Sequence, residues 1–134
     1  MAIKISAALK NARLNAIEST IGTGAVLKIH EGAAPAAISS SDTGTVLVTM
    51  QLDADWMAAA SSGVKAFTGT WSDTSADATG TAGHFRLYAV DGTTQHVQGT
   101  VTGSTGGGDM TLDNTSIASG QTVTVTGFTL TDGN

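Results

Sequence analysis

The stretch GHFRLYAVDGTTQHVQGTV, residues 83–101, decides the fold. Before the Asp91-Gly92 pair, Phe85, Leu87 and Ala89 alternate with His84, Arg86 and Tyr88; after it, Val97 and Val101 alternate with His96, Gln98 and Thr100. A period of two belongs to a strand, and Asp-Gly between two such runs marks a β-hairpin. A one-residue slip would turn every side chain to the opposite face. An even-membered loop would set Phe85 and Leu87 against Thr100 and Gln98. The expected register is therefore a three-residue loop over 92–94, with Ala89 opposite Val97, Phe85 opposite Val101 and a bulge near Gly92.

The same alternation appears on both sides of this hairpin. Leu27 and Ile29 mark a strand over 25–30, and Val46, Val48 and Met50 mark one over 45–52. Short strands are expected at 64–67, 68–72 and 109–112. The last, over 122–130, changes phase at Gly127, so that Val123, Val125, Phe128 and Leu130 all face inward across a bulge. Residues 53–62 have no clear period, and 32–42, 72–80, 103–108 and 114–120 read as loops. Seven or eight short strands between turns predict a mainly β fold, an antiparallel β-sandwich or a small β-barrel. A short N-terminal α-helix precedes them over 6–21. Ser6 is its N-cap, Leu14, Ile17 and Ile21 form one row, Leu9, Ala12 and Ala16 adjoin it, and Gly22 and Gly24 stop it. The organisation expected is an N-terminal helix and docking segment over 1–24 and a single β-domain over 25–134.

Composition agrees. The chain has 134 residues, enough for one domain, with 17 Gly, 1 Pro and no Cys. Without cysteine there is neither a disulfide framework nor a thiolate metal site. No run of apolar residues is long enough for a membrane span, and the start of the chain lacks a signal-peptide pattern. The formal charge of −5 divides into a local +3 over residues 1–30 and a local −8 beyond them. A duplex-binding protein needs a basic face to displace counterions, so nucleic acid is not an expected partner. The basic, partly apolar helix is instead the expected docking element, through Lys4, Lys10, Arg13, Leu14 and Ile17.

Residues with chemical potential are sparse. His84 and His96 cannot converge on one metal in either hairpin register, and the histidines read as surface residues. Asp53 and Asp55, two residues apart, are the one candidate for paired catalytic carboxylates, and Asp73 with Asp77 the one for a calcium loop. Residues 72–80 have no closing Glu, and both pairs read as turn-capping aspartates. The glycine runs match neither a phosphate loop nor a dinucleotide fingerprint, and no nucleophile elbow is present. No catalytic, cofactor-binding or metal-binding residue is assigned. Trp71 and Tyr88 are the side chains a glycan site would use.

The order of short motifs along the chain goes further. It runs Leu-Lys-Asn-Ala-Arg-Leu at 9–14, Ile-Gly-Thr-Gly at 21–24, Ala-Asp-Ala-Thr-Gly-Thr-Ala at 76–82 and Val-Asp-Gly-Thr-Thr at 90–94. It ends with Gln-Gly-Thr-Val at 98–101, Asp-Met-Thr-Leu at 109–112 and Gly-Gln-Thr-Val-Thr-Val-Thr at 120–126. Over nearly its full length the chain resembles a family of small virion proteins of tailed bacteriophages. The resemblance implies a non-enzymatic structural protein, a capsid decoration or cement (minor capsid) protein that stabilises the head shell. It implies the major capsid protein as partner, a homo-oligomer with a trimer favoured, and the virion surface as location after synthesis in the bacterial cytoplasm. A tail or baseplate component is the alternative within that class. A carbohydrate-binding or host-receptor adhesin module is the alternative from another.

Overall fold

The computed structural model describes residues 3–132. Helix α1 (Ala7–Ile21) leads into β1 (Val26–Glu31), β2 (Val46–Gln51), β3 (Val64–Ala66), β4 (Ser72–Asp73) and β5 (Gly80–Tyr88). Then follow β6 (Gln95–Gly103), β7 (Met110–Leu112), β8 (Ser116–Ile117) and β9 (Val123–Thr131). The strands form one sheet in the order β2-β1-β5-β6-β7-β9-β3, with β4 paired to β9 and β8 to β5. The sheet curls. Phe85 on β5 meets Phe128 on β9 edge to face at 5.4 Å, although two strands separate them in the sheet order. The fold is thus mainly β and barrel-like with one N-terminal helix, as the alternation predicts. Leu27, Ile29, Leu47, Phe85, Leu87, Met110, Val125 and Phe128 lie in the core inside the curl.

The central hairpin keeps the predicted faces but not the predicted partners. Leu87, not Ala89, lies opposite Val97, and Phe85 lies opposite Gly99. The difference is two residues, so inward side chains stay inward. Two local facts set it. Ala89 N–H donates to the Thr94 carbonyl, and the Asp91 carboxylate accepts from Thr93 and Thr94 N–H, which fixes a longer turn. A Cβ at position 99 would stand 2.8 Å from the Phe85 ring, so the ring needs glycine beneath it. In β9 the expected bulge is present. Thr111 pairs with Gly127 and Leu112 with Val125, which leaves Thr126 exposed and both Val125 and Phe128 buried.

One pairing departs from the antiparallel pattern: β6 and β7 run parallel, with Val101 opposite Met110. Parallel neighbours ordinarily need a long crossover. Here the chain backtracks only from the level of Gly103 to that of Val101, roughly 7 Å at strand rise. Residues 104–109 suffice because they fold tightly on Thr102. Thr102 Oγ1 accepts from Gly108 N–H, Asp109 accepts from the N–H and hydroxyl of Thr100, and a Cβ at Gly106 would stand 2.5 Å from Thr102.

Candidate functional site

Two segments without strand partners cover the curled sheet, and the chain's buried polar side chains gather beneath them. The first is α1. Its first turn is capped as predicted: Ser6 Oγ accepts from Leu9 N–H at 3.2 Å, and Gly22 closes the C-terminus with φ 92°. Leu14 and Ile21 are buried and Ile17 packs against the core. A polar row, Asn11, Asn15 and Glu18, repeats at i, i+4, i+7 and therefore shares one face. That row accepts backbone N–H groups from the irregular segment before β3. Asn11 takes Gly63, Asn15 takes Ala60, and Glu18 Oε1 takes Trp56 and Met57. Trp56 Nε1–H donates to the Gly22 carbonyl.

At the centre of this face is Lys65 on β3, whose side chain is 2% exposed. Its Nζ lies 2.8 Å from Glu18 Oε2, 3.1 Å from Asn15 Oδ1 and 2.8 Å from the Ala58 carbonyl. Burial pushes the Glu18 carboxyl up. The hydrogen bonds from Lys65 and Met57 N–H, with the ammonium charge, outweigh it and hold Glu18 below its ordinary 4.5. Asn15, Glu18, Asp55 and Lys65 line an open groove of about 440 Å³.

The second covering segment is the loop 32–45, which lies over the outer side of β1, β5 and β6. Arg86 is fully buried under it. Its Nη1 donates to the Ser40 carbonyl and to Asp42, its Nη2 to the Ala37 carbonyl and Gln98, and its Nε to Gln98. Gln98 Nε2 donates to the Pro35 carbonyl. Beside it, His30 and His84 stack with centroids 4.8 Å apart and planes 8° from parallel. His84 Nδ1 meets the Gly32 carbonyl at 2.8 Å, which makes Nδ1 the protonated nitrogen. His30 Nε2 meets the Tyr88 hydroxyl at 3.2 Å. His30 Nδ1 and His84 Nε2 have no hydrogen-bond partner. Burial, then the neighbouring His84, holds His30 below its ordinary 6.5. Burial raises Asp42, but hydrogen bonds from Tyr88 and Arg86 overcome it and leave the carboxyl below 3.8. The Tyr88 phenol is pushed far up by burial and by Asp42.

These positions revise the expected sites. Leu14 and Ile17 serve the protein's own core, because the helix needs an apolar face to pack on its domain. Arg13, exposed, pairs with Asp132 at 3.1 Å. Lys10 lays its aliphatic stem over Gly63, and Lys4 is exposed. Trp71 is buried in an aromatic cluster with Trp56, Phe67 and Phe128, and Tyr88 is fully buried, so neither presents a ring to a glycan. His30 and His84 are buried partners, not surface residues, because the loop covers the face they share with Arg86. His96 lies apart, in a groove of about 400 Å³ with Arg13 and Ile17. Among the described residues, no three His, Asp or Glu side chains are placed to hold a metal, and no helix is long and apolar enough to cross a membrane. Asp73 and Asp77 accept from the N–H and hydroxyl of Thr49, which ties their loop to β2.

The sequence carried a signal for both clusters. The long strands β6 and β9 place Thr at outward positions, whereas β5 alternates His84, Arg86 and Tyr88 there, too large and polar for a bare face. The Asn11-Asn15-Glu18 spacing was equally visible. No protein-family model matches the chain, and no curated protein or solved structure matches it either.

Proposed function

We propose that this protein is a non-enzymatic structural component of a bacteriophage virion, a decoration protein that seats on the capsid and reinforces the shell. The resemblance over nearly the whole chain supplies the class. The observation that carries the reading is how the chain uses its buried charge. Arg86 and Lys65 are each spent on clamping a covering segment to a curled sheet, which suits a rigid module made without disulfides. The docking element is the N-terminal end of the helix. Lys4 is exposed, and so are the apolar Ile3 and Leu9, 79% and 48%, at the basic end of an acidic chain. This patch fits an acidic surface on the major capsid protein, with copies arranged as a trimer about a capsomer junction.

The test mixes the full chain with empty expanded shells and follows co-sedimentation and shell melting. Binding that raises the melting temperature is expected, and a Lys4→Glu/Leu9→Asp variant should bind at least tenfold more weakly while staying folded. A protein that remains in the supernatant, or that fractionates with purified tails, overturns the capsid assignment.

A further inference from the structure

The geometry points to a covalent modification site: we propose that Lys65 Nζ and Asn15 Cγ join in an intramolecular amide bond, with Glu18 moving the protons. This goes beyond the virion reading and does not depend on it. Three features are brought together. The nucleophile is a lysine taken out of water, which is how an amine is made reactive. The electrophile is the Asn15 amide, whose oxygen sits 3.1 Å from Nζ and also accepts from Ala60 N–H at 2.9 Å. Two donors on one atom fix it as oxygen, not nitrogen, and the backbone N–H stabilises negative charge developing there. The third is Glu18, with Oε2 2.8 Å from Nζ and Oε1 anchored by Trp56 and Met57 N–H. A carboxylate held in place beside an amine is a general base, and once protonated a general acid.

The step balances without a co-reactant. Glu18 takes a proton from the Lys65 ammonium. The freed amine attacks Asn15 Cγ, and the Nζ–Cγ bond forms. The proton on Glu18 passes to Nδ2, the Cγ–Nδ2 bond breaks, and ammonia leaves. Glu18 removes the surplus proton from Nζ and gives it to the departing ammonia. The net change is lysine ammonium plus asparagine amide to secondary amide plus ammonium, with no oxidation or reduction. The groove lined by Asn15, Glu18 and Lys65 opens to solvent and gives ammonia a way out. The first proton transfer runs against a stable ion pair, so the bond forms slowly after folding. Fixed proximity in the fold compensates for that cost. The product ties the helix to β3 across 50 residues of sequence.

The test is intact-mass measurement of the full chain, followed by proteolysis and tandem mass spectrometry. The folded, aged protein should be lighter than its sequence by one ammonia, and a branched peptide should join residues 15 and 65. Chain held in denaturant from synthesis should keep its full mass, and so should Glu18→Gln. A folded protein at full sequence mass overturns the proposal. So does an ammonia loss mapped to any other residue, or an equal loss in Glu18→Gln. The wild-type mass decides the matter even if the variant does not fold.

Discussion

The helix and the loop 32–45 solve the same problem with opposite polarity. Each covers part of the sheet beside backbone that has no strand partner, and buried backbone groups must find one. Under the helix, side-chain acceptors on Asn11, Asn15 and Glu18 receive the N–H groups of residues 56–63. Under the loop, side-chain donors on Arg86, Gln98 and His84 supply the carbonyls of residues 32–40. The helix brings its acceptors to the sheet; the sheet brings its donors to the loop. The ionic centres differ accordingly. Lys65 faces a carboxylate that also has two backbone donors, whereas Arg86 alone serves two loop carbonyls, Asp42 and Gln98.

That contrast breaks most visibly at Arg86. Arg86→Met takes away five hydrogen bonds at once, to the Ser40 and Ala37 carbonyls, Asp42 and Gln98. Asp42 stays 37% exposed and keeps Tyr88, so the loss in urea unfolding at neutral pH should be about 3 kcal/mol, set by the number of bonds and not by a stranded charge. Lys65→Met should cost less, about 2 kcal/mol, because Lys65 makes three such contacts where Arg86 makes five, and Glu18 keeps Trp56 and Met57 N–H. Both are to be measured on chain held in denaturant from synthesis and refolded just before use, so that the proposed amide does not enter. An equal or larger loss at Lys65 would mean that the two clamps are alike in strength and only mirrored in polarity.

Acid should separate the clamps next. His30 titrates below 6.5 in the folded state, so the unfolded chain binds more protons as the pH drops through that value. Stability from the loop is therefore complete above pH 6.5 and lost as the pH falls through the folded value. Glu18 and Asp42 are also held low, and their contributions disappear only below about 4.5 and 3.8, their ordinary values. A melting-temperature profile should fall in two stages. His30→Phe should remove the upper stage and leave the lower one, which Glu18 and Asp42 share; loss of both together would show that His30 and the carboxylates titrate as one unit.

Much of this was legible beforehand, and the exceptions have physical causes. The helix limits, the β9 bulge and the inward faces follow from local period and capping, which depend on neighbours in sequence. The hairpin partners missed by two residues, because the turn's length depends on Asp91 gathering Thr93 and Thr94, and the register on Gly99 lying under Phe85. The parallel β6–β7 pair was hidden because Gly106 and Gly108 read as looseness, whereas they permit tight contact with Thr102. The buried clusters were hidden for another reason. Alternation shows which side chains share a face, but only the path of the loop 32–45 shows that both faces of β5 are covered. Tyr88 and the histidines looked like surface residues for that reason, and Trp71 for want of its aromatic neighbours.

The smallest effect tests whether the helix clamp works as one unit. Ser6→Ala removes the acceptor for Leu9 N–H and should cost about 1 kcal/mol. The anchoring row begins at Asn11, past the capped turn, and the buried Leu14 and Ile21 lie farther on still. Fraying should therefore stop before the anchors. Hydrogen exchange should speed up at the first helical turn and leave the Trp56 and Met57 amides, held by Glu18, protected as before. If those two amides lose protection together with the first turn, the helix leaves the sheet as a body, and its polar row gains strength only from being whole. The loop 32–45, held through its carbonyls by donors from another element, should exchange at an unchanged rate in either case.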